Sequence, residues 1–197
     1  MNHNTMFFKY KFNLNFFKQT LYLQLTIILF LLTFGENPSY AGLPVAQEYQ
    51  VKAVFLYRFA SFVRWPNSVF ADRHTPFRIC ILGKDPFREE LVITIENEHI
   101  KGRTIQVQYL TNLTTVDICQ ILFVSQSEKS YLTNILTTLH KRPILTISDI
   151  NIFVKQGGMI QFFKVGRRIR FYIAPNIAKQ AGLKVSGNLL RIAEIVR

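Results

Sequence analysis

Between residues 46 and 64 apolar side chains recur at three- and four-residue intervals. Val51, Val54, Phe55, Phe59, Phe62 and Val63 form one stripe and predict a helix. Trp65-Pro66 ends it, since a residue before proline is pushed out of the α region. Beyond a polar loop the pattern tightens. Phe77-Arg-Ile-Cys-Ile-Leu82 reads as a buried strand, and Asp85-Pro86 as the N-cap and first position of a helix reaching about Ile95. Thr104–Tyr109 alternates as a second strand, and Cys119–Val124, almost wholly apolar, is a third. Ser127–His140 is amphipathic through Tyr131, Leu132, Ile135, Leu136 and Leu139. Pro143–Ile147 is a fourth strand, ending at Ser148-Asp149.

The rhythm then changes. Gly157-Gly158 predicts a turn at positive φ, followed by strands Met159–Lys164 and Arg167–Ile173 around Val165-Gly166, which is a β-hairpin. Helical pieces follow at Pro175–Ala181 and from Ser186, as cap, to Val196. Strands alternating with helices and then a hairpin specify an α/β fold. The expected architecture is a mostly parallel open sheet with helices on both faces and an antiparallel C-terminal hairpin. The Phe55, Phe59 and Phe62 stripe is expected in the core, with a dimer contact as its rival.

The first forty residues differ from the rest. Lys9, Lys11 and Lys18 precede the uncharged apolar run Leu21–Phe34, and small residues Ser39-Tyr40-Ala41 follow. That order describes a secretory signal peptide cleaved after Ala41. The run is shorter than the ~20 residues of a spanning helix. Residues 1–41 are therefore expected to be the signal and 42–197 a single α/β domain. The whole chain carries 24 Lys plus Arg against 12 acids, a net charge of +12. Losing three lysines and Glu36 leaves 21 against 11, a net +10. Such a charge often marks a nucleic-acid binder, but export removes that partner. An anionic membrane surface, an acidic protein or a small anionic ligand fits better.

The chemistry-bearing residues are few. Two cysteines, Cys80 and Cys119, survive cleavage, and in an oxidising compartment an even count invites one disulfide. Both fall on predicted strands; two buried thiols are the other reading. His74, His99 and His140 are scattered without metal spacing, and no nucleophile elbow or Walker loop occurs. No catalytic constellation and no cofactor is expected. Asp85, Ser125 with Ser127, and Asp149 lie at strand carboxyl ends, where α/β sheets bind ligands, although such residues usually serve as caps. Lys164, Arg167, Arg168 and Arg170 surround the hairpin turn. Arg168 and Arg170 share one face and present a pair suited to carboxylate or phosphate, or else a solvated edge.

Several of these runs, in order, resemble the YfiR family of periplasmic proteins. They are Lys52-Ala53-Val-Phe-Leu-Tyr57-Arg-Phe-Ala60 with Trp65-Pro66, Cys80-Ile-Leu-Gly83-Lys-Asp85-Pro86-Phe87, and Cys119-Gln-Ile-Leu-Phe-Val-Ser125. Leu145–Asp149, Gly157–Ile160, Arg168–Phe171, Ala181–Ser186 and Leu189–Ala193 continue the match to the end of the chain. The resemblance implies a periplasmic, dimer-forming regulator, not an enzyme, that represses an inner-membrane diguanylate cyclase in cyclic-di-GMP signalling. It also implies that Cys80 and Cys119 form one of that family's disulfides. A second cysteine pair found in some relatives has no counterpart here, where Val154 and Gln161 stand in that region. Tyr172 stands where relatives often have Glu, and Ser186-Gly187-Asn188 where they often have Ser-Ser-Gln. The hairpin, including Tyr172, and the last helix are the expected contact surface.

Overall fold

Strands that are apolar on successive residues, not alternate ones, must be covered on both faces. The computed structural model shows how this is achieved. It describes residues 18–19, 22–25 and 44–196. The expected cleavage site at Ala41 and most of the run Leu21–Phe34 lie outside the described residues. No helix among the described residues is long and apolar enough to cross a membrane.

The chain runs α1 (Val45–Phe62), β1 (Val63–Arg64), β2 (Phe77–Leu82), α2 (Glu90–Ile95), β3 (His99–Ile100) and β4 (Arg103–Leu110). It continues β5 (Ile121–Val124), α3 (Leu132–Thr138), β6 (Leu145–Ser148), β7 (Ile160–Val165) and β8 (Arg168–Ile173). It ends with α4 (Pro175–Gln180), β9 (Lys184–Val185), α5 (Gly187–Ile192) and β10 (Glu194–Ile195). Eight strands form one sheet in the order β10-β8-β7-β6-β5-β2-β4-β3, while β1 and β9 make a separate two-stranded ladder. The five strands β4, β2, β5, β6 and β7 are mutually parallel. The hairpin β7–β8 is antiparallel, as expected.

Period-two alternation sorts the strand side chains onto two faces. Ile79, Ile81, Phe123, Ile147, Phe162 and Phe171 enter one cluster with α1, and Cys80, Leu82, Leu122 and Val124 enter a second with α3. Over β6 and β7 the second face is polar but satisfied. Ser148 donates from Oγ to the Val124 carbonyl at 2.7 Å, while Thr146 Oγ1 accepts from the Met159 N–H at 3.1 Å. Among the described residues no buried side-chain nitrogen or oxygen lacks a partner.

Several expected elements changed at their ends. The helix after β2 begins at Glu90, not Pro86. Asp85 Oδ1 accepts the Phe87 N–H at 2.8 Å, and Arg88 then takes φ +54°, so the segment turns before it coils. Residues 126–131 are a 3₁₀ turn, and α3 starts only at Leu132. Gly157 adopts φ +106°, but Gly158 does not need a positive φ; a Cβ there would lie 2.2 Å from the Phe153 ring. After Ser186, whose Oγ caps Leu189 N, the expected helix to Val196 stops at Ile192. Residues 194–195 instead pair in parallel with β8, so the hairpin is not the sheet edge. Both edges are two-residue strands, which offer little to a passing chain.

The stripe on α1 also rotated. The buried face is Lys52, Ala53, Leu56, Phe59 and Ala60, whereas Val51 and Val54 are 37% and 43% exposed. Alanines at 53 and 60 let the helix approach the sheet closely, an advantage that hydrophobicity counting does not weigh. Phe59 is buried, while Phe55 and Phe62 are partly covered and pack at the margin of the core.

Cys80 and Cys119 are joined, with Cα atoms 5.9 Å apart. Cys80 lies within β2, but Cys119 precedes β5 by two residues and is not a strand residue as expected. The bond closes a loop of 39 residues and contributes about 4 kcal/mol in the chain-entropy model. Replacing both cysteines by Ala is expected to lower unfolding free energy by about 2–4 kcal/mol in urea titration. A loss below 1 kcal/mol means the loop is held by packing alone.

Candidate functional site

Lys52 sits four residues after Glu48 on α1 and faces the sheet with only 2% exposure. An ammonium so placed must be paired, because burying an isolated charge is very costly. Its Nζ lies 2.6 Å from Glu48 Oε1 and 2.5 Å from Asp149 Oδ2, and 4.3 Å from the Tyr49 ring centroid. Asp149, just past the carboxyl end of β6, also accepts the Tyr49 hydroxyl at 2.8 Å and Gln126 Nε2 at 3.0 Å. Glu48 Oε2 takes Lys164 Nζ of β7 at 2.7 Å. Two cations and two carboxylates thus balance, and they tie α1 to β6, β7 and the loop after β5. A cleft of about 410 Å³ opens beside them.

The local environment tunes these groups. Burial pushes the Glu48 carboxyl up, but hydrogen bonds and charge from Lys164 and Lys52 together outweigh it and hold it below its ordinary value. Burial first, then the neighbouring Asp149 carboxylate, pushes the Tyr49 hydroxyl well up, so it stays a donor. The arrangement supplies no nucleophile or general base with an open face. It is an electrostatic clasp.

A larger cleft of about 730 Å³ lies next to it, sharing Tyr49 and Gln126. It stands between the carboxyl ends of β2 and β5, where β4 has gone to one side of β2 and β5 to β7 to the other. This is the topological switch point of an open parallel sheet. The loops meet tightly there: Ser125 Oγ donates to the Lys84 carbonyl at 2.6 Å, and Ser127 Oγ accepts the Lys84 N–H at 2.9 Å. Gly83, at φ +86°, is required, because a Cβ would lie 2.3 Å from Ser127 Oγ and Glu128 Oε1. Asp85, Glu89 and Glu90 line the cleft beside Lys84 and Arg88. An anion entering it meets three carboxylates and two cations, so the charge does not favour the expected anionic ligand at this place.

The residues expected to act together are distributed over three places. Asp85 lines the switch-point cleft, and its oxygen serves the Phe87 cap. Asp149 and Lys164 belong to the clasp. Arg168, Arg170 and Tyr172 alternate with Ile169 and Phe171, which are buried against α1, and so point to the opposite side of the hairpin. There Tyr172 stacks on Phe163 at 4.2 Å between centroids, and Arg170 lies 3.6 Å from Glu194 of β10. Arg167 sits in the turn, exposed. Alternation is what separates Lys164 from the arginines. Residues missed from the sequence were Lys52, Glu48 and Tyr49. The available signal was a lysine spaced i,i+4 from a glutamate within an otherwise apolar helix. Among the described residues no group of His, Cys, Asp and Glu could hold a metal ion.

Replacing Lys52 by Met leaves Asp149 without its cation and is expected to cost about 3–5 kcal/mol in urea unfolding. A cost within 0.5 kcal/mol would show the clasp to be energetically neutral. Glu48 makes a pH-dependent contribution of known sign. Its carboxyl is lowered on folding, so its stabilisation is present above about pH 4.5, its unfolded value, and is lost as pH falls through the lower folded value. The difference in stability between the native protein and Glu48→Gln should shrink across that acid range; a difference that stays flat contradicts the assignment.

A search of curated proteins finds no match. A family model described as YfiR/HmsC-like matches residues 49–194, from Tyr49 of the clasp through Glu194 of β10. The chain belongs to the YfiR/HmsC-like family.

Proposed function

We propose that this protein is a periplasmic regulator that holds an inner-membrane diguanylate cyclase inactive by direct contact and so restrains cyclic-di-GMP synthesis. The observation that carries this reading is the family match over nearly the whole α/β domain. The charged groups are consistent with it. Glu48, Lys52, Asp149 and Lys164 are spent on a clasp that ties elements together.

The outer face of the hairpin is the contact surface. Arg168 and Arg170 stand beside the stacked Phe163–Tyr172 pair, and Val165 is 56% exposed at the tip. Arginine and aromatic side chains together are the residue types that dominate interface energetics. Leu189 anchors α5 in the α1 cluster, while Asn188, Arg191 and Ile192 leave the last helix an exposed face for the same partner. Beside the hairpin lies β10, whose Glu194 meets Arg170. A cyclase periplasmic segment carrying carboxylates would complement the arginines.

The charge reversal Arg168→Glu with Arg170→Glu is expected to leave folding intact, since both side chains are exposed. It should abolish co-purification with an inner-membrane cyclase and raise cellular cyclic-di-GMP to the level of a deletion strain. If the deletion itself leaves cyclic-di-GMP unchanged, cyclase repression is refuted. If only the double variant behaves like the native protein, the contact lies elsewhere on the surface.

A further inference from the structure

The two residues of β3 offer a passing chain little, and for the same reason they cover little. They pair only with Arg103 and Thr104 of β4. From Ile105 to Leu110, β4 has β2 on one side and, among the described residues, no strand on the other. The Leu110 carbonyl accepts the Gly83 N–H at 3.0 Å and so points towards β2. Main-chain direction alternates along a strand, which aims the N–H and C=O of Ile105, Val107 and Tyr109 at the bare side. Natural edges of this length are usually blunted by lysine, proline or a bulge. Here Thr104 to Val116 contain neither a charge nor a proline, in a chain of net charge +12.

We propose that β4 pairs antiparallel with β4 of a second copy of this chain, about a twofold axis through Val107. Any strand can add to an edge, but this one matches itself at two levels. Side chains match: Val107 meets its own copy, Ile105 meets Tyr109, and Gln106 meets Gln108. Apolar thus faces apolar and amide faces amide, while Arg103 meets the uncharged Thr111. Backbone matches as well. Ile105, Val107 and Tyr109 are the outward-pointing residues, and this register sets them against one another, giving about six main-chain hydrogen bonds. Val92 and Ile93, 48% and 58% exposed on α2, which packs on β4, supply apolar area beside the seam. The strongly basic surface opposes self-contact elsewhere; the uncharged edge does not. Twofold pairing of like surfaces is also the commonest form of oligomer. Strand β8, with its arginine face, lies towards the opposite margin of the sheet, so both hairpins stay free in the dimer. The inference does not rest on the regulatory reading.

Sedimentation equilibrium of the purified protein should show monomer and dimer exchanging with a Kd of about 100 μM or lower. Hydrogen exchange read residue by residue should slow about tenfold or more at Ile105, Val107 and Tyr109 as concentration rises through that range. Gln106 and Gln108, bonded to β2, should be protected throughout. Gln106→Lys with Gln108→Lys sets lysine against lysine across the axis and should raise Kd about tenfold or more. Gln106→Lys with Gln108→Glu sets lysine against glutamate and should keep Kd within about threefold of the native protein. All these side chains are exposed, so equal urea midpoints are expected. The proposal fails if the protein is monomeric throughout, if the double lysine variant dimerises normally, or if both variants dissociate alike. It fails too if the edge amides slow only when an envelope partner is added, which would assign the edge to that partner.

Discussion

The central strands bury side chains on both faces, and every other feature of the domain answers to that constraint. Ile79, Ile81 and Phe123 need cover on one side, and Cys80, Leu82 and Val124 need it on the other. The first side receives α1, with Phe59 packed edge-on to Phe171 at 5.0 Å between centroids. The second receives α3 and the disulfide. Fully burying a side chain of this size contributes about 1.5–3 kcal/mol, so the two layers supply most of the drive to fold.

Two-sided burial moves polar side chains to the strand ends, and Asp149, just past the carboxyl end of β6, is where Lys52 of α1 finds its partner. The clasp around Lys52 shows what such a place can be used for. A salt bridge in this position is weak evidence of net stability, because desolvation opposes the Coulomb gain. Its value lies in specificity. An apolar α1 with several acceptable faces could settle on the sheet in more than one rotation. Only one rotation delivers Lys52 to Asp149 and Glu48 to Lys164. The choice that places Lys52 inward also turns Val51 and Val54 outward.

The same geometry bears on function. Glu48, Lys52, Asp149 and Lys164 are engaged with one another, while Lys84, Asp85 and Arg88 line the switch-point cleft and Arg168 and Arg170 stand exposed on the hairpin. The match to the YfiR/HmsC-like family spans this arrangement from Tyr49 to Glu194.

The α/β class, the strands β2, β4, β5 and β6 and the hairpin were legible in the amino-acid sequence, because period and apolar run length report local burial directly; the Cys80–Cys119 bond was legible from the even cysteine count and the family resemblance. Strand carboxyl ends at Asp85, Ser125 and Asp149 were legible for the same reason. The rotation of α1 was not, since Val51, Val54, Phe55 and Phe59 satisfy a helical stripe as well as the face that was buried. Nor were the two-residue strands β1, β3, β9 and β10, whose pairing depends on distant neighbours and not on their own composition. The division of Lys164 from Arg168 and Arg170 followed from hairpin register, and the meeting of Lys52 with Asp149, 97 residues apart, from the closing of the whole domain. Local patterns carry information about what a segment buries; only the assembled sheet decides which buried charges find each other.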